Sequence, residues 1–190
     1  MCSSDLAGNV KPDGLKSCAT FHLRLLFVKW LTGVIFSAVL VACLGGMALL
    51  FARMWFPWRG MFVFVPGTIF NVLSASEGLN LYVWSHLFMT VNASTMLSIA
   101  FMFSCFNMKP AAATILALSF LFVNVVMENI PFFERYHDWF LTFHFRSWLL
   151  VFSKPTPWPQ IAQSLSILLA VNFTAFIIGV AGFQVRDIKS

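Results

Sequence analysis

Residues 101–120 read FMFSCFNMKPAAATILALSF, two apolar runs around the notch Asn107-Met108-Lys109-Pro110. The notch decides the fold: it is either a kink in one core helix or a turn between two helices that each cross a membrane. Asn107 is able to end the first helix, and Lys109 prefers water. Pro110 is tolerated in the first turn of the second helix, where its missing N–H has no helical partner to lose. The stretch predicts a tight hairpin between two crossings.

Outward from the notch, composition points the same way. Of 190 residues, 59% are hydrophobic and only 10% charged, against about a quarter charged in soluble domains. Mean hydropathy is +0.84, more apolar surface than one soluble core hides. About 20 apolar residues at 1.5 Å each cover a ~30 Å hydrocarbon layer, and four stretches meet that length: roughly 25–50, 83–106, 110–130 and 161–184. The expected fold class is an all-α integral membrane protein, a polytopic helical bundle of four spans forming one transmembrane domain over 10–190.

The net charge of +5 does not indicate a nucleic-acid partner, because the cations sit at the ends of apolar runs and form no basic stripe. Membrane orientation explains them better, and membrane lipid is the expected surround. With four spans, Lys11, Lys16, Arg24, Lys29, Lys109, Arg186 and Lys189 share one side, against Arg53, Arg59, Arg135, Arg146 and Lys154. Seven against five places both termini and the 107–109 turn in the cytoplasm. Cys2, Cys18, Cys43 and Cys105 show no metal-binding or C-x-x-C spacing. Residues 1–9 begin MCSSDL, as a start codon read into a sequencing adapter would, and are expected to be non-native or disordered.

Two outer segments are expected to form interfacial or re-entrant helices. Residues 56–80 carry Pro57, Gly60, Pro66 and Gly67, too broken for an easy span. In 131–160, Glu134, Asp138, Thr142 and Arg146 recur every fourth residue as a polar stripe, with Trp139, Phe140, Phe143 and Trp148 mostly off it. That pattern suits one helix at a water–lipid boundary.

Polar groups inside spans normally face the bundle or a water path. Asn92, Ser94, Thr95, Ser98, Asn124, Glu128, Asn172 and Thr174 are candidates to line a pathway, with interhelical hydrogen bonding as the competing role. Ala38, Ala42 and Gly46, and Ala175 and Gly179, recur at four-residue intervals that permit close helix approach. His137, Asp138 and His144, near Glu134, are weak candidates for a metal or acid–base site; no H-E-x-x-H pattern accompanies them. Nor is there a G-x-x-x-x-G-K-[ST] loop, so any use of ATP, with its Mg, must occur on another chain.

The terminal FQVRDIKS, with Phe183, Arg186 and Asp187 in an aromatic-x-x-Arg-Asp ending, the run SIAFMFSCFNMKPAAATILAL, and the aromatic segment 131–160 together resemble the membrane subunit of an ABC transporter of the type-2 exporter class. The likeness runs from about residue 25 to the end. Lys29 in KWLTG resembles the lysine that opens the third span there, although Val28 replaces the usual glycine and His22 the arginine expected seven residues before Lys29. Six spans are usual in that family, so a further pair would precede these four.

The resemblance implies a permease subunit in the inner or plasma membrane of a bacterial cell, paired with a second permease subunit and with a separate ABC ATPase. No catalytic residue or cofactor is expected on this chain. The ATPase would be met by Lys11, Lys16, Arg24, Lys29, Asn107, Lys109, Pro110, Arg186 and Asp187. Two other classes stay open: an integral-membrane enzyme using the His/Asp/Glu cluster, and a secondary transporter driven by ions through Glu128.

Overall fold

A computed structural model of the chain describes residues 12–65, 69–106 and 108–187. Lys11 and Asn107 lie outside the described residues, as do the side chains of Lys16, Arg186 and Asp187. The described elements in chain order are helix α1 (Pro12–Trp55), strands β1 (Gly60–Val65) and β2 (Ile69–Ser74), and helices α2 (Ala75–Cys105) and α3 (Pro110–Glu128). A 3-10 helix (Pro131–Trp139), two short helices α4 (Leu141–Phe145) and α5 (Ser147–Leu150), and α6 (Trp158–Asp187) complete them. Among the described residues four helices are long and apolar enough to cross a bilayer: α1 over Leu23–Trp55, α2, α3, and α6 over Trp158–Gln184.

The packing is inverted relative to a water-soluble domain. Ser85, Ser94, Thr95, Ser98, Ser164 and Asn172 are buried, while Phe36, Leu44, Phe122, Phe173 and Ile177 face outward. Such an arrangement is stable only where the surround is hydrocarbon, which has no hydrogen bonds to offer. The chain is accordingly a helical membrane protein.

α2 is the hub. Phe88 packs with Ile161, Ile99 with Leu168, and Cys105 with Val180, so α2 and α6 run parallel. On the opposite flank Leu26 joins the Cys105 cluster while Gly45 abuts His86, so α1 runs antiparallel to α2. α3 returns along α2 through Ala117 against Ile99. The start of α1, the bend at 106–110 and the end of α6 therefore gather at one end of the bundle, the turn end. The strands and 131–157 cover the other, the hairpin end. At the turn Lys109 is the N-cap of α3 and Pro110 its first residue, the position where proline costs least.

The boundaries depart from expectation at three places. α1 is one helix of 44 residues with no break at Lys29, about 66 Å at 1.5 Å per residue, longer than the expected 25–50. The segment 60–74 is an antiparallel β-hairpin, Gly60 facing Ser74 and Val63 facing Asn71, rather than an interfacial helix. The alternation of aromatic and β-branched residues in GMFVFV and IFNVLS suits a pleat: Val63 and Leu73 turn inward onto Phe152, while Phe62, Phe64, Phe70 and Val72 turn outward. Residues 75–80 then belong to α2, with Ser74 as its N-cap accepting from Glu77 N.

The third departure is in 131–150, which is three short helices, so the four-residue stripe is not one continuous face. Phe140 is extended (φ −83°, ψ 129°) and separates the 3-10 helix from α4. Thr142 is consequently buried, while Arg146 reaches Glu128.

Close approach of α1 to α2 depends on Gly45. A Cβ there would collide with the His86 ring, whereas one at Gly46 would meet nothing within 4 Å. The small-residue face of α1 thus runs through Gly33, Ala38 and Gly45, with Ala42 and Gly46 exposed. On α6, Ala175 is buried, and a Cβ at Gly179 would stand 3.3 Å from Met102 Cα. Gly45→Leu should lower stability by about 1–3 kcal/mol, the usual cost of overpacking, and Gly46→Leu by almost nothing. Thermal unfolding of the two variants in detergent checks the difference.

Candidate functional site

Serine, threonine and asparagine in a spanning helix carry groups that hydrocarbon cannot satisfy, and here they find one another. Asn172 on α6 donates to Ser94 Oγ at 3.0 Å and Thr95 Oγ1 at 3.1 Å on α2, and its Oδ1 accepts the hydroxyl of Ser98. Ser94 and Thr95 spend their own protons on Val91 O, so their lone pairs face the amide. Turning the amide over engages the same three residues, and the membership of the cluster does not depend on its orientation. Trp30 of α1 then donates its indole N–H to Ser98 Oγ at 2.7 Å. Three helices are tied by one polar network. Trp30 carries no sequence signal for this role, since beside Lys29 it reads as an interfacial aromatic.

Asn92 lies apart from that seam, donating to Phe145 O at 2.9 Å and holding α4 against α2. Nearby, Glu128 ends α3 with only 5% of its surface exposed and pairs with Arg146 at 3.2 Å. Glu128 Oε2, Asn92 Oδ1 and Thr142 Oγ1 are buried with no hydrogen-bond partner among the described residues. A carboxylate held in this way is stabilised by one guanidinium that is itself largely exposed.

Asn124 and Thr174 occupy a third place. α3 and α6 both lean on α2 but hardly on each other, which leaves a lateral groove of about 480 Å³ between them. Ile99 and Phe103 floor it, Trp139 and His144 close its hairpin end, and Asn124 of α3 and Thr174 of α6 line it as its polar points in the spanning helices. Each is satisfied within its own helix, Asn124 by Phe120 O and Thr174 by Ala170 O, at 2.9 and 2.7 Å. Both retain acceptor capacity for an occupant. The volume lies within the ~300–1,000 Å³ of small-molecule sites.

The histidines are committed to backbone. His137 Nε2 lies 3.0 Å from Glu128 O, and His144 Nε2 lies 3.0 Å from Asp138 O. Carbonyls only accept, so each Nε2 carries its proton, and His144 Nδ1 takes the hydroxyl of Ser164 at 3.1 Å. His137 satisfies an end carbonyl of α3, and buried His144 fastens α4 to α6. Among the described residues no three His, Cys, Asp or Glu side chains converge as a metal site would require. Of the expected ATPase contacts, Arg24, Lys29, Lys109 and Pro110 stand toward the turn end, with the backbone of Lys16, Arg186 and Asp187 in α1 and α6 near it.

The fold and these sites define a helical membrane protein with four candidate spans among the described residues, a polar seam and a lateral groove. Comparison with family models, curated proteins and solved structures finds no match.

Because Asn172 bonds across helices and Asn124 only within its own, Asn172→Leu should cost about 1–2 kcal/mol. Asn124→Leu should cost much less. Melting temperatures of both variants in the same detergent test the contrast.

Proposed function

We propose that the chain is the membrane-spanning permease subunit of an ATP-driven exporter of the ABC type-2 class, working with a second permease subunit and a separate ATPase. The observation that carries this reading is the common end shared by the start of α1, the 106–110 turn and the end of α6, where Arg24, Lys29 and Lys109 stand with no acidic partner among the described residues. A cytoplasmic ATPase needs such contacts rigidly joined to spans that have two packings of similar energy. The polar seam supplies the rigid part: motion imposed on α1 reaches α2 and α6 through Trp30, Ser98 and Asn172. α3, attached to α2 alone among the long helices, supplies the element able to move, and the groove beside it is the cargo path.

A second reading, ion-driven secondary transport, is favoured by one observation, the buried Glu128, whose Oε2 has no partner among the described residues. It predicts loss of transport in Glu128→Gln with no dependence on an ATPase.

On the exporter reading, the full-length protein co-purifies with a Walker-motif ATPase encoded beside it and stimulates its turnover, and Lys109→Glu reduces that stimulation severalfold. Thr174→Trp should block the groove, stopping transport while leaving the stimulation in place. Transport that continues with a hydrolysis-dead ATPase would overturn the proposal.

A further inference from the structure

At the hairpin end a second groove of about 530 Å³ lies between the last turns of α1, the first turns of α2 and strand β1. Its construction is specific. Gly78 is required where the hairpin seats on α2, since a Cβ there would stand 2.8 Å from Met61 Cβ, and a Cβ at Gly60 would stand 2.9 Å from Leu73 O. Ala48, Leu49, Ala52 and Leu79 make an apolar wall, and Arg59 stands among the lining residues with no ion pair among the described residues.

The charge around this groove is one-sided. No carboxylate lines it, and Glu77, one residue from Gly78, is engaged by Lys154 at 2.8 Å. Arg53 lies 5.8 Å above the Trp58 ring, adding a second cation beside the mouth. The amino end of the 31-residue α2 opens at Ala75, with the partial positive charge of a helix N-terminus. Tyr82 gives its hydroxyl proton to Gly45 O at 3.0 Å, so its hydroxyl serves the helix contact. Trp55 and Trp58 are exposed at the same level, as indoles are at lipid headgroup depth.

An apolar trough with an unpaired guanidinium at headgroup depth matches an amphiphile with a hydrocarbon chain and an acidic head. We propose that this groove binds an anionic lipid, its chain against Ala48, Leu49 and Ala52 and its phosphate on Arg59. The proposal does not rest on the transport reading, because it requires only that the helices cross a bilayer.

The test uses the full-length protein purified in neutral detergent and titrated with phosphatidylglycerol, with phosphatidylcholine of the same chains, or with inorganic phosphate. Lipid retention is read by native mass spectrometry and stabilisation by thermal shift. Phosphatidylglycerol should bind about fivefold more tightly than phosphatidylcholine, the contribution of roughly one interfacial cation. Arg59→Gln should erase that preference and Arg59→Lys keep it, while Ala52→Trp, at an exposed wall position, should weaken retention of both lipids. The preference surviving in Arg59→Gln would overturn the proposal. So would undiminished lipid retention in Ala52→Trp, or inorganic phosphate giving the same stabilisation as phosphatidylglycerol. If Ala52→Trp fails to fold, the Arg59 pair still decides.

Discussion

A polar side chain placed in hydrocarbon must find its hydrogen bonds within the protein, and in this chain that constraint converges on α2. Ser94, Thr95 and Ser98 lie along one side of it, and each is answered by Asn172. The remaining valence of Ser98 accepts from Trp30. Lipid tails are as apolar as leucine, so apolar contact alone gives helices little reason to prefer one partner over another. Directional bonds do. Around the seam the smaller contacts fall into line, with Gly179 against Met102 and Cys105 on one flank and Gly45 against His86 on the other.

α3 is held differently from α1 and α6. Its contact with α2 is through alanines, Ala113 and Ala117, and its polar side chains Asn124 and Thr114 bond to their own helix. The ties that fix its far end are Glu128 with Arg146 and the His137 contact to Glu128 O. Anchored at its ends and lightly packed between them, α3 leaves the lateral groove open on the α6 side. The site and the packing thus have one cause: α2 spends its polar face on α6 and α1, and α3 receives only the apolar remainder.

The hairpin end is a layer of its own. Val63 and Leu73 of the strands, Phe152, and the partly buried Trp148 and Leu81 form a small core across the mouth of the bundle. Asn71 donates to Phe152 O, tying the hairpin to the segment that follows α5. Two cations at this end, Arg146 and Lys154, are paired with carboxylates, and Arg53 sits on an indole. Arg59 lacks any such partner among the described residues, which gives the groove beside it its chemical character.

Much of this was legible from local pattern. Length and apolarity marked the four spans, and Pro110 after Lys109 marked the turn, because crossing a bilayer and starting a helix are properties of a single stretch of chain. The polar positions on α2 and α6 were visible as residues needing partners. Which partner each takes was not, since that depends on how neighbouring helices rotate and cross. Ser94 thereby shares a network with Asn172 while Asn92, two residues away, turns to Phe145. Tertiary structure also decided that Gly45 rather than Gly46 meets α2, and that Trp30 belongs to the seam. It made 60–74 a hairpin, because a strand pair satisfies its backbone only when the second strand lies alongside and one face is covered, here by Phe152. A helix closes its hydrogen bonds within itself, so its existence is written locally; pairing, register and partner choice arise only when separate elements meet.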